Sequence, residues 1–159
     1  MCGIGGMLGH PDPSIVHRMN SLLSHRGPDG NDVWSDSHIS LGHTRLAILD
    51  IEGSAQPLFG PHNEVLIVNG EIYNFRQLRN AKPMYPWTTK GDSEVLLSLF
   101  HSAKAKVNGQ LSARQHSEWI KHLNGMYAFA LWDSDERQLI LARDPLGIKP
   151  LVRTLVDGS

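Results

Sequence analysis

The sequence predicts an α+β fold with largely antiparallel sheets. Strand-like segments dominate both ends of the chain, helical patterns lie between them, and few strand–helix–strand alternations occur. The length of 159 residues fits one domain, and a 40% hydrophobic content supplies its core. Because no internal repeat or low-complexity linker divides the sequence, we interpret residues 1–159 as a single domain.

The first two predicted elements are a strand and a helix. Residues 3–8 form a glycine-rich apolar run that is typical of a buried strand. Asp12 and Pro13 are typical of a helix start. Apolar residues follow at helical spacing and predict one apolar face: Ile15, Met19, Leu22 and Leu23. The turn-rich segment 25–30 ends this helix.

The remaining strands are predicted from short apolar runs between turn residues. In the first half of the chain they are residues 31–35, 38–42 and 45–50. A fourth run, residues 64–68, ends at Asn69 and Gly70, which form a typical turn dipeptide. Near the end of the chain the predicted strands are residues 126–132, 137–142 and 148–156.

Three further helices are predicted in the middle of the chain. Residues 74–80 form a short one, and residues 112–123 form another after a polar loop. A longer helix between them begins at Asp92 or Ser93, either of which can cap it. Its apolar face consists of Val95, Leu96, Leu99 and Phe100.

Composition excludes several classes of function. Fifteen basic and sixteen acidic residues give a formal charge of −1. The sequence therefore lacks the excess of positive charge that is typical of proteins that bind nucleic acid or an anionic membrane. Without an apolar run of membrane-spanning length or a signal-peptide pattern, a cytoplasmic location is expected. One cysteine precludes an internal disulfide, and the nine histidines lack ligand spacing, so neither a metal nor a cofactor is expected in this chain.

The single cysteine lies at position 2, directly after the initiator methionine. Removal of Met1 places a thiol and a free α-amine on one residue. An α-amine titrates at about 7.7–8.0, so it can act as general base for the thiol, whose thiolate attacks acyl carbons. Cys2 is therefore a candidate nucleophile that needs no histidine. The alternative is a small buried packing residue.

Six further blocks accompany Cys2-Gly3-Ile4 and cover nearly the whole chain. They are HRGPDG (25–30), GHTRLAI (42–48), VNGEIYN (68–74), GDSEVL (91–96), LNGMYAFALWD (123–133) and ARDPLGIKPL (142–151). In this order they resemble the class II glutamine amidotransferases, and most closely the amidotransferase domain of glutamine-hydrolysing asparagine synthetase. The resemblance implies the four-layer αββα sandwich of N-terminal nucleophile hydrolases. It also implies hydrolysis of the glutamine side-chain amide through a Cys2 thioester, with transfer of ammonia to a synthetase domain.

The resemblance assigns the stabilisation of the reacting carbonyl oxygen to Asn69 and Gly70. Attack on an amide builds negative charge on this oxygen, and preorganised donors lower the barrier. The Asn69 side chain and the Gly70 backbone N–H are the implied donors, and Arg26 matches a family position near the nucleophile. From the local sequence alone, a plain hairpin turn is the favoured interpretation of Asn69 and Gly70, and it is compatible with the role that the resemblance implies.

The resemblance also implies a binding site for the charged end of free glutamine. Arg45 is suited to hold the α-carboxylate in a bidentate clamp, and Asp92 holds the α-ammonium with help from Glu71. The backbone carbonyls near Leu46 and Ile48 assist. Without the resemblance, Arg45 fits a surface strand and Asp92 fits a helix cap.

The sequence departs from the family pattern after the last block. Family chains continue with more strands and an ATP-using synthetase domain, whereas this sequence stops at Ser159 and has no SGGxDS motif. We therefore expect a sandwich truncated at its C-terminus. ATP and Mg²⁺ belong only to a synthetase domain or partner, and the sequence leaves a homo-oligomer open.

Three functions remain as alternatives at this stage. The first is a glutaminase that supplies ammonia for an asparagine-synthetase-like reaction. The second is a catalytically inactive or regulatory subunit that keeps the fold and binds a synthetase partner, because missing strands expose a sheet edge. The third is an amidase of the same mechanism that acts on a different amino-acid amide.

Overall fold

The computed structural model describes residues 1–107 and 109–156. Its first sheet contains β1 (Gly3–Leu8), β2 (Gly30–Ser35) and β3 (Ile39–Arg45). These strands are antiparallel, and β3 lies in the middle. The second sheet contains β4 (Leu58–Phe59), β5 (Glu64–Ile72), β6 (Gly125–Asp133) and β7 (Gln138–Arg143). They are antiparallel and lie in chain order.

Four helices accompany the sheets. They are α1 (Pro13–Leu23), α2 (Phe75–Asn80), α3 (Val95–Lys104) and α4 (Ala113–Ile120). The Asp12 carboxylate caps α1 as predicted, because its Oδ1 accepts a 2.9 Å hydrogen bond from the Ser14 N–H. None of the helices in the described ranges is long and apolar enough to cross a membrane.

The elements form four layers in the order helix, sheet, sheet, helix. Helix α1 packs on the outer face of the first sheet and contacts all three of its strands. The two sheets face each other across buried side chains of β3, β5 and β6: Ile39, Leu41, Val65, Ile67, Ala130 and Trp132. Helices α3 and α4 cover the other face of the second sheet. Two sheets between helical layers agree with the predicted sandwich.

Helix α1 buries only part of the face predicted for it: Met19 and Leu23 are partly buried against β1, near Gly5 and Gly3. Val16 and Asn20 are fully buried against β3, where a Cβ at Gly42 would lie 2.5 Å from Val16 Cγ1. Leu22 is 77% exposed, so its assignment to the buried face is wrong. Since each helical residue turns by about 100°, Leu22 points away from the side that Asn20 presents to the sheet.

Two predicted strands are absent from the described residues. Residues 46–50 are not a strand, because the Leu46 and Ala47 N–H groups donate to the Cys2 sulfur and the Asp29 carboxylate. Residues 148–156 are not a strand either. There, the Asp144 carboxylate accepts the N–H groups of residues 148 and 149, and Pro150 has no N–H to donate.

The predicted turn at Asn69 and Gly70 is wrong. Strand β5 continues through both residues to Ile72, because it pairs with β6 along all nine of its positions. At Gly70 the strands approach so closely that a Cβ would lie 2.3 Å from the Met126 carbonyl oxygen. The cap predicted for α3 is also wrong, since Glu94 holds that position without a side-chain capping bond.

Candidate active site

A cavity of about 90 Å³ lies at the end of the sandwich where β1 begins and β3 ends. All eight residues that the sequence predicted for the site line it: Cys2, Arg45, Leu46, Ile48, Asn69, Gly70, Glu71 and Asp92. They come from four separate parts of the chain. The fold therefore brings every predicted residue to one place.

Cys2 is held at the cavity by residues that flank the strands of the first sheet. Its Sγ lies 3.4 Å from the backbone nitrogen of Leu46, whose N–H donates to it. The Arg26 Nε donates a 3.2 Å hydrogen bond to the Cys2 carbonyl. The contact with Leu46 positions the sulfur, and the bond from Arg26 fixes the backbone that carries it.

Asn69 presents an amide with unused hydrogen-bonding capacity. The residue is only 4% exposed, and its Oδ1 is buried without a partner in the described part of the chain. A buried polar group without a partner is costly, and its persistence points to a function. The Asn69 carboxamide is therefore a candidate contact for a ligand in this cavity.

The N–H of Gly70 lies on the edge of β5 that faces away from β6. Backbone groups of successive strand residues point alternately to the two sides. Gly70 is in register with Tyr127, whose carbonyl instead accepts a 2.8 Å bond from the Asp144 N–H on the opposite side. Gly70 and Tyr127 thus form a non-hydrogen-bonded pair, and the Gly70 N–H points out of the β5–β6 ladder.

Side chains occupy the neighbouring donors on this edge. The Val68 N–H donates to Gln56 Oε1 at 2.6 Å, and the Ile72 N–H donates to Asp92 Oδ2 at 2.7 Å. Gly70 lies between them, and no acceptor for its N–H is found among residues 1–107 and 109–156. Together with the Asn69 amide, this N–H offers hydrogen-bond donors to a ligand atom in the cavity.

Asp92 and Glu71 bring two acidic residues to the lining of the cavity. Asp92 is 8% exposed, and burial raises the pKa of its carboxyl group. The negative charge of Glu71 raises this pKa further, while the hydrogen bond from Ile72 opposes the shift. A bound cation relieves both the burial of charge and the repulsion, so this pair favours an ammonium group.

Arg45 ends β3 and directs its guanidinium group toward the following loop. Nη1 donates to the Ile51 carbonyl at 2.6 Å, and Nη2 donates to the Asp50 carbonyl at 2.9 Å. These bonds orient the guanidinium plane without neutralising its charge. Arg45 therefore remains a cation that can bind a carboxylate at the cavity.

His43 connects the two sheets beside the site. Its Nε2 lies 3.1 Å from the Val68 carbonyl oxygen, to which it donates because a carbonyl can only accept. The His43 pKa is lowered to about 4, mainly by burial and in smaller part by the Arg45 charge, while the bond to Val68 opposes the shift. The imidazole is thus neutral, and its ring is committed to structure.

Metal ligands are not grouped in the described part of the chain. No cluster of three or more His, Cys, Asp or Glu side chains there has the geometry to hold a metal ion. The cavity instead combines an acidic pair, a guanidinium group, a thiol and amide donors. This donor set suits a small organic zwitterion.

A profile of the glutamine amidotransferase domain matches residues 1–159. The chain belongs to this family. Asparagine synthetase 1 (glutamine-hydrolysing) of Bacillus subtilis strain 168 is 35% identical to this chain. The alignment covers 100% of this chain and 25% of that synthetase. Asparagine synthetase B of Escherichia coli K12 is 35% identical over 95% of this chain and 26% of its own. The amidotransferase domain thus spans about a quarter of the length of these relatives.

A solved structure supports the fold of this amidotransferase. The glutamine phosphoribosylpyrophosphate amidotransferase of B. subtilis, complexed with ADP and GMP, superposes with a TM-score of 0.67. It is 24% identical, and the match covers 93% of this chain and 38% of that chain. The predicted four-layer α+β sandwich is confirmed by this likeness and by the observed layers.

Sequence reasoning missed several residues of the amidotransferase cavity. Gln56, Met126 and Lys149 also line it. Lys149 lies within one of the matched blocks, where a lysine between Ile148 and Pro150 interrupts an apolar run. This placement is the one signal in the sequence that set it apart.

Proposed function

We propose that this chain hydrolyses the side-chain amide of glutamine through a thioester on Cys2, after removal of Met1. One observation carries the proposal: a single cavity is lined by the residues that the reaction needs. They are the thiol of Cys2, the amides of Asn69 and Gly70, the cation Arg45 and the acids Glu71 and Asp92. Membership of the amidotransferase family and the glutamine-hydrolysing relatives agree with it.

The residues that line the cavity match the charged groups and the side-chain amide of glutamine. The Arg45 guanidinium group binds the α-carboxylate, and Asp92 with Glu71 binds the α-ammonium. The side-chain amide then reaches the Cys2 sulfur, and its carbonyl oxygen faces the Asn69 amide and the Gly70 N–H. Recognition of both charged groups favours glutamine over amides that lack either charge.

The α-amine of Cys2 acts as the base. It takes the thiol proton as sulfur attacks the amide carbon, and the oxyanion accepts hydrogen bonds from Asn69 and Gly70. The protonated amine returns that proton to the leaving nitrogen, which departs as ammonia and leaves a thioester. Water then attacks the thioester carbon, and the products are glutamate and the free thiol.

A direct test uses the chain with Cys2 as its first residue, verified by intact mass. We expect release of glutamate and ammonia in equal amounts, and loss of at least about a thousandfold in kcat for Cys2→Ala. A second preparation carries an extension before Met1, which retains the thiol but blocks the amine, and it should be inactive. Full activity in Cys2→Ala, or in the extended chain, contradicts this mechanism.

The same assay separates the alternative functions. A folded, processed chain that leaves glutamine intact supports an inactive or regulatory subunit. A panel of amino-acid amides tests the substrate: hydrolysis of several amides as fast as glutamine supports a broader amidase. Under the proposal, glutamine is preferred because only its length places the amide at Cys2 while both charged groups are bound.

We propose an asparagine-synthetase-like amide transfer as the destination of the ammonia. The relatives named above support it, because their matched segments belong to much longer synthetases. ATP and Mg²⁺ are then used by a synthetase domain or partner. The chain itself should release ammonia at the same rate with or without ATP, Mg²⁺ and aspartate. Formation of asparagine by the purified chain contradicts the assignment of ATP and Mg²⁺ to a synthetase domain or partner.

A further inference from the structure

Lys149 is a buried cation for which the described chain provides no acidic partner. The residue is 3% exposed, and its Nζ donates a 2.9 Å hydrogen bond to the Sδ atom of Met1. No ion pair joins it to a carboxylate in the described ranges. A thioether is a weak acceptor, so this contact compensates poorly for burying an ammonium group.

The backbone of Lys149 is held firmly at the cavity. The Asp144 carboxylate is 2% exposed and accepts N–H bonds from Tyr127 at 3.3 Å, Ile148 at 2.9 Å and Lys149 at 3.0 Å. Burial raises the Asp144 pKa, but the backbone donors outweigh it and lower the pKa overall. The carboxylate thus ties the Lys149 backbone to β6 opposite Gly70.

Several charged groups surround the cavity, and among them Lys149 contacts the N-terminal residue. Arg45 from β3, Glu71 from β5 and Asp92 before α3 line the same space, and Arg26 contacts the Cys2 carbonyl. None of the acids lies within ion-pair distance of Nζ. The contact that Nζ makes is with Met1, the residue that the proposed function requires to be removed.

We propose that, once Met1 has been removed, the Lys149 ammonium faces the new N-terminus and stabilises the reactive forms of Cys2, the neutral amine and the thiolate. This inference rests on the proposed function. Lys149 is a positioning residue here: it acts through its charge and exchanges no proton with Cys2 or substrate.

Distance and charge make the effect large enough to measure. Five covalent bonds separate Met1 Sδ from the Cys2 nitrogen, a span of about 6 Å at most. Nζ therefore lies within several ångströms of the amine that processing creates. At such separations in a partly buried site, a positive charge shifts a neighbouring titration by about one pH unit. It favours deprotonation of both the amine and the thiol.

The test reads the thiol directly. Because the chain contains one cysteine, iodoacetamide alkylation reports on Cys2 alone. Processed wild type, Lys149→Met, Lys149→Gln and Lys149→Arg are alkylated from about pH 5.5 to 10, which brackets ordinary thiol and amine titrations. Both neutral variants should move the midpoint upward by about one unit and slow alkylation roughly tenfold near pH 7. Lys149→Arg should keep the wild-type midpoint. The pH profile of kcat/KM for glutamine should shift in parallel.

Several outcomes overturn the inference. One is an unchanged midpoint in a neutral variant whose near-ultraviolet circular dichroism matches wild type. Another is an equal loss in all three variants, including Arg, without a shift of the profile, which indicates a packing role. Failure of the proposed function is distinguishable, since it appears as glutaminase activity in Cys2→Ala. Alkylation needs no glutamine and tests Lys149 separately.

Discussion

The Oδ2 atom of Asp92 accepts a 2.7 Å hydrogen bond from the backbone N–H of Ile72. This bond joins the segment before α3 to the end of β5, and it holds a carboxylate against the cavity beside Glu71. Asp92 therefore has a tertiary partner instead of the helix-capping role that its local sequence is equally consistent with. Its raised pKa reflects burial and the neighbouring acid.

Asp92→Asn should weaken glutamine binding without unfolding the protein. The amide oxygen still accepts the bond from Ile72, but the charge that binds the α-ammonium is lost. We expect KM for glutamine to rise by roughly 10- to 100-fold. Stability at neutral pH should be equal or higher, because a buried charge beside Glu71 is removed. Steady-state kinetics and urea denaturation measure both effects.

The pH dependence of stability provides a second readout of Asp92. Its folded pKa lies above the ordinary value of 3.8, so between the two values the folded state binds more protons. The free energy of unfolding therefore falls as pH rises through this window. Asp92→Asn should lack this part of the slope. The prediction is contradicted if the free energies of unfolding of wild type and Asp92→Asn differ by the same amount at every pH.

Arg45→Lys should raise KM far more than it lowers kcat. Lysine keeps the charge but lacks the planar fork, and it cannot hold the Asp50 and Ile51 carbonyls while binding a carboxylate. We expect KM for glutamine to rise by roughly 10- to 100-fold and kcat to change less than about threefold. The matched control is Arg18→Lys at an exposed position of α1, which should leave both KM and kcat unchanged.

Asn69→Ala should lower kcat by about 10²- to 10³-fold with little change in KM, because its donor acts on charge that develops during the reaction. Asn69→Asp has the same size, but its carboxylate repels the oxyanion, and it should be at least as impaired. Circular dichroism checks the fold of both variants. Retention of wild-type kcat in either one removes Asn69 from the proposed mechanism.

Gly70→Ala should destabilise the second sheet. An added Cβ would meet the Met126 carbonyl oxygen at 2.3 Å and the Tyr127 Cα at 2.6 Å, and neither backbone atom can move without disturbing the β5–β6 pairing. We expect a loss of about 2–4 kcal/mol in the free energy of unfolding. The control is Gly5→Ala, whose Cβ would contact Met19 at 3.4 Å. Equal stabilities of the two variants contradict the prediction.

Local patterns predicted the elements whose backbone bonds are local or whose residues alternate regularly. The Asp12 cap and the bounds of the strand at residues 3–8 are confirmed. The prediction that this strand is buried is wrong for most of its residues, because β1 lies at the edge of its sheet and Leu8 is 57% exposed. The predictions failed where distant groups took the backbone donors. Leu46 donates to the Cys2 sulfur instead of continuing a strand. Asn69 and Gly70 extend β5 because β6 pairs with the whole strand, which a dipeptide pattern does not contain.

The sequence by itself determined the family and eight residues that line the candidate site, because Cys2-Gly3-Ile4 and six ordered blocks specify both. Only the tertiary structure decided how these residues are used. It places the N–H of Gly70 on the edge of β5 that faces away from β6, gives Asp92 a backbone partner, and directs the buried Lys149 at Met1. Each of these facts depends on contacts between segments far apart in the chain. Local propensity does not encode such contacts, because sheet pairing and burial of charge are set by packing across the whole fold.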